Sequence, residues 1–181
     1  SLDRNDFAGL IDRLEMLSDA DAAATLTAIA AASVSAAQIH FPAPVTRIIG
    51  HRGSHGAGGP VENTLAAFQA AVDEGADMVE LDVWQSLDGE LVIYHDDALP
   101  GQARAVAEMS WDALRRVELP GGGRIPRLAD ALALMRGHLA VNVEIKHGAA
   151  LGRTLRLVRD LRMADDVLLS SFDLPAMYAA A

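Results

Sequence analysis

Short β-rich runs alternate with helix-length segments over most of this chain, and this alternation limits the folds that the chain can adopt. Strands joined by helix-length connections normally run parallel to one another. We therefore predict an α/β protein with a parallel sheet, either open and doubly wound or closed into a barrel. The predicted strands are residues 45–50, 77–84, 90–94, 139–145 and 167–171, and the predicted helices are residues 63–75, 111–117, 127–136 and 151–161.

The first 44 residues differ from the rest, because they predict a pair of helices and carry no chemistry that we can identify. The uncharged stretch at residues 22–39 consists mainly of Ala, Ser and Thr. A membrane span would need large apolar side chains, so we interpret the stretch as a soluble helix and predict no transmembrane segment. We divide the chain into an N-terminal helical segment, residues 1–44, and a strand–helix domain, residues 45–181.

The acidic charge balance excludes one class of partner and constrains another. The formal net charge is −10, whereas nucleic acids are bound by clustered Lys and Arg. A phosphate-bearing substrate would need a local positive centre, such as a metal ion, inside so acidic a protein. The chain has no cysteine and therefore no disulfide, thiolate nucleophile or zinc–cysteine site. With no signal peptide visible either, the cytoplasm is the favoured compartment.

Polar side chains interrupt the predicted strands near their C-terminal ends, although a covered parallel strand should be almost entirely apolar. Side chains alternate along a strand, so Glu80 and Asp82 share one face of the second strand. Parallel strands bring their C-terminal ends to one rim, and we expect these polar groups to converge there. The strand ends carry, in chain order, His51 and Arg52, Glu80 and Asp82, His95 and Asp96, Glu144 and Lys146, and Ser170 and Ser171.

Three of these groups predict a metal site. The carboxylates of Glu80, Asp82 and Glu144 would repel one another on one rim unless a cation lay between them. Hard oxygen ligands of this kind suit Mg²⁺ or Ca²⁺. The sequence therefore predicts a site for one of these two ions.

The remaining polar groups predict phosphoryl-transfer chemistry beside that metal. The imidazoles of His51 and His95 supply an acid and a base near neutral pH. The cations of Arg52 and Lys146 can bind a phosphate and stabilise developing negative charge. Together with a metal ion, these groups form a phosphoryl-transfer site.

Several short motifs follow one another along the domain in a recognisable order. They are residues 50–53, 60–64, 75–83, 88–89, 92–96, 125–128 and 142–146, with the fifth predicted strand after them. This series resembles the glycerophosphodiester phosphodiesterase family over about Thr46 to Phe172. Val61 is inserted in the Pro-Glu-Asn-Thr run that is usual for that family, which is a mild departure.

The resemblance implies a TIM barrel of the phospholipase-C-like phosphodiesterase type that hydrolyses glycerophosphodiesters to glycerol 3-phosphate and an alcohol. It implies a divalent metal on the three carboxylates, with Glu62 close by, and it makes His51 and His95 the acid and base and Arg52 and Lys146 phosphate contacts. We also expect Asn63 and Ser171 to support this site. In the mechanism usual for the family, the glycerol 2-hydroxyl attacks phosphorus and water then opens the cyclic ester, but direct attack by water fits the sequence equally.

The chain departs from the expected barrel where it stops, because Ala181 follows the fifth of eight expected strands. We therefore expect either a fragment of a longer barrel or a homodimer whose copies cover each other's open sheet edges. Two other functions stay open. One is a non-catalytic half-barrel that acts as a binding module, and the other is a phospholipase of the sphingomyelinase D type.

Overall fold

Four parallel strands form the centre of the computed structural model, which describes residues 46–172. The strands lie side by side in the order β1, β2, β4, β5, and β3 pairs with β2 outside this path. Their C-terminal ends therefore meet at one rim, as predicted. The strand bounds are Ile49–His51 for β1, Met78–Gln85 for β2, Leu91–Ile93 for β3, Ala140–Ile145 for β4 and Val167–Ser170 for β5.

The third strand is antiparallel, so the expectation that residues 90–94 form one of the parallel strands is wrong. β3 pairs with the end of β2, with Val83 opposite Ile93. Only residues 86–90 connect the two strands, and a parallel partner would need a crossover of a dozen or more residues. The Ser86 hydroxyl donates to Asp88 at 2.7 Å and accepts from the Glu90 amide at 2.9 Å, which fixes the turn. The described part of the sheet thus holds four parallel strands rather than five.

All four predicted helices are present, each shorter than predicted. Helices fray, and the residues at their ends lack intrahelical partners, so the boundaries are the least predictable part. At the start of the first helix, the Thr64 hydroxyl accepts from the Ala67 amide at 3.3 Å and caps the exposed amides. The helices are α1 at Leu65–Asp73, α2 at Trp111–Leu114, α3 at Leu128–Met135 and α4 at Leu151–Asp160.

The main core lies on one face of the parallel sheet. Val79, Leu81 and Val83 of β2 are fully buried there, and Phe68 of α1 and Leu132 of α3 pack in the same cluster. Burial of each such side chain contributes about 1.5–3 kcal/mol to the stability of the fold. Because side chains alternate, this apolar face directs Glu80 and Asp82 to the other side of the sheet.

A second, smaller core lies in residues 94–127, which we call the cap. Its centre is formed by Val106, Leu114 and Ile125, which are almost completely buried. Trp84, on the same face of β2 as Glu80 and Asp82, is partly buried against this cluster. The cap therefore packs beside the polar face of the sheet and not against the main core.

The two outer strands of the described sheet expose apolar side chains. Ile48 and Ile49 at β1 are 63% and 54% exposed, and Phe172 after β5 is 85% exposed. Within residues 46–172 no helix is long and apolar enough to span a membrane. The predicted helical segment at residues 1–44 lies outside the described residues, and so does the end of the chain from residue 173.

Candidate active site

The three predicted carboxylates converge at the C-terminal rim. β2 and β4 pair in parallel, and this register puts Asp82 directly opposite Glu144. Ligand oxygens of Glu80, Asp82 and Glu144 all lie within 4.8 Å of one another. This group could hold a metal ion, and among the described residues it is the only group of its kind.

The ammonium of Lys146 lies between two of these carboxylates. It donates to Glu144 Oε1 at 2.8 Å and to Asp82 Oδ1 at 3.1 Å. Burial opposes the charged form of Lys146, but these hydrogen bonds outweigh burial and raise its pKa. Lys146 therefore neutralises part of the carboxylate charge in this arrangement.

Of the three carboxylates, Glu80 has the negative charge that its neighbours offset least. Its Oε2 accepts from the Arg52 amide at 3.1 Å, whereas its Oε1 is buried and has no hydrogen-bond partner among the described residues. Burial and then the neighbouring charge of Asp82 raise the pKa of Glu80 to about 7. A buried carboxylate oxygen without a donor is costly, and a divalent cation would satisfy it. The donor set thus fits a hard metal ion.

Asp82 is held in one orientation by its neighbours. It is 1% exposed, and its Oδ2 accepts from Asn63 Nδ2 at 2.7 Å. The guanidinium Nε of Arg52 lies 3.4 Å from the same oxygen. With Lys146 on Oδ1, both oxygens of Asp82 are fixed, which positions this carboxylate as a preorganised ligand.

Arg52 and Asn63 owe their positions to unusual backbone conformations. Both adopt left-handed φ angles, 57° and 55°, which non-glycine residues rarely do. The Asn63 amide donates to the Arg52 carbonyl at 2.9 Å and ties the two residues together. The Arg52 guanidinium also donates to Glu62 Oε1 at 2.8 Å, and although burial opposes its charge, this bond raises the pKa of Arg52. Asn63 therefore contacts a carboxylate directly, whereas Glu62 is connected to the carboxylates through Arg52.

The two predicted histidines lie on different elements near this centre. His51 ends β1, and its Nε2 is 3.8 Å from Glu80 Oε2. His95 follows β3 at the start of the cap, and its Nδ1 is 2.6 Å from Asp96 Oδ1. This contact orients the imidazole and leaves Nε2 as the atom available to a substrate. The side chains are 67% and 37% exposed, so solvent and small molecules can reach both rings.

A cavity of about 180 Å³ adjoins His95 between the cap and the loop that connects β1 to α1. Glu62 and Asn63 form the side that borders the carboxylates. Tyr94, Leu119 and Pro120 of the cap form much of the remainder, with Val61. The glycines at 121–123 all have positive φ angles, between 83° and 98°, and turn the chain sharply after Pro120. Sequence reasoning assigned no role to this glycine loop, because three glycines predict only a turn and not what the turn packs against.

Ser171 is the one predicted site residue whose hydroxyl points elsewhere, since it donates to the Ile145 carbonyl. Its neighbour Ser170 lies opposite Glu144 in the sheet and donates to Asn142 Oδ1 at 2.9 Å. Because side chains alternate along a strand, Ser170 and not Ser171 lies on the same face of the sheet as Glu144.

The fold and the polar rim define an α/β protein of the barrel type, with its reactive groups at the C-terminal ends of the strands. The model of the glycerophosphoryl diester phosphodiesterase family matches residues 51–177. The chain belongs to this family, and its described sheet is part of the family's TIM barrel.

Individual relatives agree with this assignment. A glycerophosphodiester phosphodiesterase of Caldanaerobacter subterraneus is 30% identical over 71% of this chain and 58% of the relative. The crystal structure of a glycerophosphodiester phosphodiesterase from Agrobacterium tumefaciens has a TM-score of 0.65 and 33% identity, over 73% of this chain and 60% of that one. A phosphodiesterase from Oleispira antarctica, solved in complex with the product sn-glycerol-3-phosphate, has a TM-score of 0.63 and 27% identity, over 75% of this chain and 59% of that one. The chain thus spans less than two thirds of the length of these relatives.

Proposed function

We propose that this protein takes part in the hydrolysis of glycerophosphodiesters to glycerol 3-phosphate and an alcohol, with the help of a divalent metal ion. The observation that carries the proposal is the buried group of Glu80, Asp82 and Glu144, in which Glu80 Oε1 lacks a partner among the described residues. Three acids on one rim beside two accessible imidazoles suit the hydrolysis of a phosphodiester. The family of the chain supports the same reaction.

The three carboxylates would hold the metal ion, and their oxygen ligands suit Mg²⁺ or Ca²⁺. When bound, such an ion supplies positive charge that offsets the charge of the substrate phosphate. Lys146 already donates to Asp82 and Glu144, so its ammonium remains next to the same phosphate. Arg52, fixed by Glu62, offers a second cation for the phosphate oxygens.

His51 and His95 act as the acid and base of the reaction. One imidazole removes the proton from the attacking hydroxyl, and the other gives a proton to the alcohol oxygen as its bond to phosphorus breaks. The attacking group is either the glycerol 2-hydroxyl, followed by hydrolysis of a cyclic phosphate, or water. Phosphorus-31 spectra taken during turnover would distinguish the two routes, because only the first passes through a cyclic ester.

The proposal is tested with glycerophosphocholine and an enzymatic assay for glycerol 3-phosphate. We expect activity that excess EDTA abolishes and that added Mg²⁺ or Ca²⁺ restores. Full activity in excess EDTA would contradict the proposal. Turnover of a choline lipid in place of glycerophosphocholine would instead favour a sphingomyelinase D type of phospholipase.

The exposed edge of the sheet favours a second candidate, a half-barrel that binds a partner. Ile48 and Ile49 are more than half exposed at β1, and unpaired strand edges readily pair with another chain. A homodimer that covers these edges stays a prediction, which light scattering at micromolar concentration would test. A binding module without catalysis would bind metal and yet release no glycerol 3-phosphate under any metal condition.

A further inference from the structure

The cavity beside His95 has a distinctive chemical character. Tyr94 contributes an aromatic residue to its lining, and Leu119 and Pro120 contribute apolar ones. The polar residues that line it are Glu62, Asn63 and His95, and no Lys or Arg lines it among the described residues. An aromatic residue beside a carboxylate, with no cationic side chain in the lining itself, is an environment that attracts positively charged groups.

The carboxylates near Tyr94 carry negative charge, which is the sign that attracts a cation. Burial, and then the carboxylates of Asp96 and Glu62, raise the pKa of the Tyr94 phenol. Arg52 binds one oxygen of Glu62, but the Glu62 side chain stays 39% exposed. The phenol ring thus lies in a negative local field, which adds to the attraction of its π face for a cation.

The cavity also has a suitable size and position. A volume of about 180 Å³ is below the ~300–1,000 Å³ of pockets for drug-sized ligands, so a small group fits and an acyl chain does not. The cavity borders the carboxylate centre through the Asn63–Asp82 hydrogen bond and holds His95, a proposed acid or base. A group in the cavity would therefore be attached close to the reacting phosphate.

We propose that this cavity, with Tyr94 as its specificity-determining residue, binds the ammonium-bearing alcohol of the substrate and selects such alcohols over neutral or anionic ones. The inference rests on the proposed function, because it assigns the alcohol of the same phosphodiester. The ammonium group lies against Tyr94 and near the Glu62 carboxylate, and the apolar wall of Leu119 and Pro120 contacts its carbon substituents.

A binding experiment on the full chain tests the cavity without relying on turnover. Choline and its uncharged carbon isostere 3,3-dimethyl-1-butanol are titrated in the presence of Mg²⁺, by calorimetry or by chemical shifts. We expect choline to bind at least ~10-fold more tightly, which corresponds to about 1.4 kcal/mol for a desolvated cation on an aromatic face. Equal affinities would overturn the inference, and this comparison needs no variant.

Two substitutions at one position then separate the ring from the hydroxyl. Tyr94→Phe keeps the aromatic face and should bind choline within about threefold of the wild type, whereas Tyr94→Leu should lose at least ~10-fold. Both variants should bind the isostere as the wild type does, and thermal melts establish that they are folded. An unchanged affinity of Tyr94→Leu for choline would contradict the role of the ring.

Turnover distinguishes failure of this inference from failure of the proposed function. We expect kcat/KM for glycerophosphocholine to exceed that for glycerophosphoglycerol by at least ~10-fold, with the difference lost in Tyr94→Leu. Equal turnover of both esters would overturn the selectivity and leave the hydrolase proposal standing. Tyr94-dependent choline binding without turnover of either ester would overturn the proposed hydrolase activity. The proposal that the cavity binds an ammonium group would still stand.

Discussion

The sheet and the cap contribute to the candidate site in different ways. The sheet supplies charged groups from regular strands, since Glu80 and Asp82 lie on β2, Glu144 lies on β4 and Lys146 follows it. The cap supplies the walls of a cavity from turns, such as Leu119 and Pro120 before the three glycines. The sheet fixes the carboxylates, and the cap contributes His95 and shapes the space beside it.

This difference follows from the two cores. The main core packs three helices against continuous strands, so each strand residue has only two possible directions and a neighbour that fixes it. The cap packs short elements around a few buried side chains, and its path depends on turns. The carboxylates therefore lie on rigid strands, whereas the cavity proposed to bind the alcohol is lined mainly by loops, which vary most freely.

The largest expected effect concerns the histidines, because one belongs to the sheet and the other to the cap. His51→Ala and His95→Ala should each lower kcat by about 10²–10⁴-fold with little change in KM, as expected for proton transfer in the transition state. Steady-state assays with glycerophosphocholine measure both constants.

His55→Ala is the matched control, since His55 is exposed and lies only four residues after His51. We expect His55→Ala, like the predicted bystanders His138 and His147, to leave kcat within about twofold of the wild type. Full activity of His95→Ala would show that the sheet alone performs the chemistry, and an equal loss in His55→Ala would show that the wrong imidazoles were chosen.

A second prediction concerns how the charge of Glu80, on the sheet, changes stability with pH. The pKa of Glu80 is raised to about 7 from 4.5, so its contribution to stability is fully present below pH 4.5 and is lost as the pH rises through 7. Without metal, Glu80→Gln should therefore raise the free energy of unfolding by about 1–3 kcal/mol at pH 8 and by much less at pH 5. Thermal melts in EDTA at the two pH values measure the difference.

Added metal should make the wild type more stable than Glu80→Gln. At pH 8, Mg²⁺ or Ca²⁺ should stabilise the wild type and fail to stabilise Glu80→Gln, because the variant has lost one ligand. Glu118→Gln changes the same charge on the exposed surface of the cap and should behave as the wild type in every condition. If metal still stabilises Glu80→Gln fully, Glu80 is not a metal ligand.

The same contrast explains how much could be predicted from the sequence. Alternation along β2 and β4 was sufficient to predict that Glu80, Asp82 and Glu144 converge, and they do. The antiparallel direction of β3 was missed, although the short turn at residues 86–90 carried the signal. The position of Lys146 between two acids depends on the side-chain rotamer, which alternation does not specify.

The cap was less accessible to prediction because its structure depends on contacts between distant segments. Val61 was noted only as an insertion, and no role was assigned to the glycine run at residues 121–123. In the fold, a β-carbon added at Gly121 would lie 3.0 Å from Val61 Cγ2, so the inserted residue and the loop pack together. Neither residue predicts the other, since no local pattern links positions so far apart in the chain.

That contact gives a third prediction, of moderate size. Gly121→Ala should lower the free energy of unfolding by about 1–2 kcal/mol, because alanine is strained at φ 89° and its methyl group meets Val61. Gly122→Ala is the matched control, with φ 98° and no atom within 4 Å of the added carbon. Denaturant unfolding should show a greater loss for Gly121→Ala, and Val61→Ala should remove the difference. Equal losses would mean that Val61 does not support the cavity wall.

The smallest expected effect lies at the edge of the sheet, where Asp77 attaches β1. Its carboxylate accepts from the Ile48 amide at 2.8 Å and from the Arg47 guanidinium at 2.7 Å, and these bonds lower its pKa below the ordinary 3.8. A lowered pKa gives stability that is present above about pH 3.8 and is lost as the pH falls through the folded-state value. Asp77→Asn should therefore melt slightly below the wild type at pH 7, and the two should converge in acid. Asp73→Asn, at an exposed position on α1, is the control for loss of a surface carboxylate. The difference in melting temperature between Asp77→Asn and the wild type could instead persist unchanged into acid. That result would mean that the hydrogen-bonding shape of the side chain, and not its charge, holds β1 to the sheet.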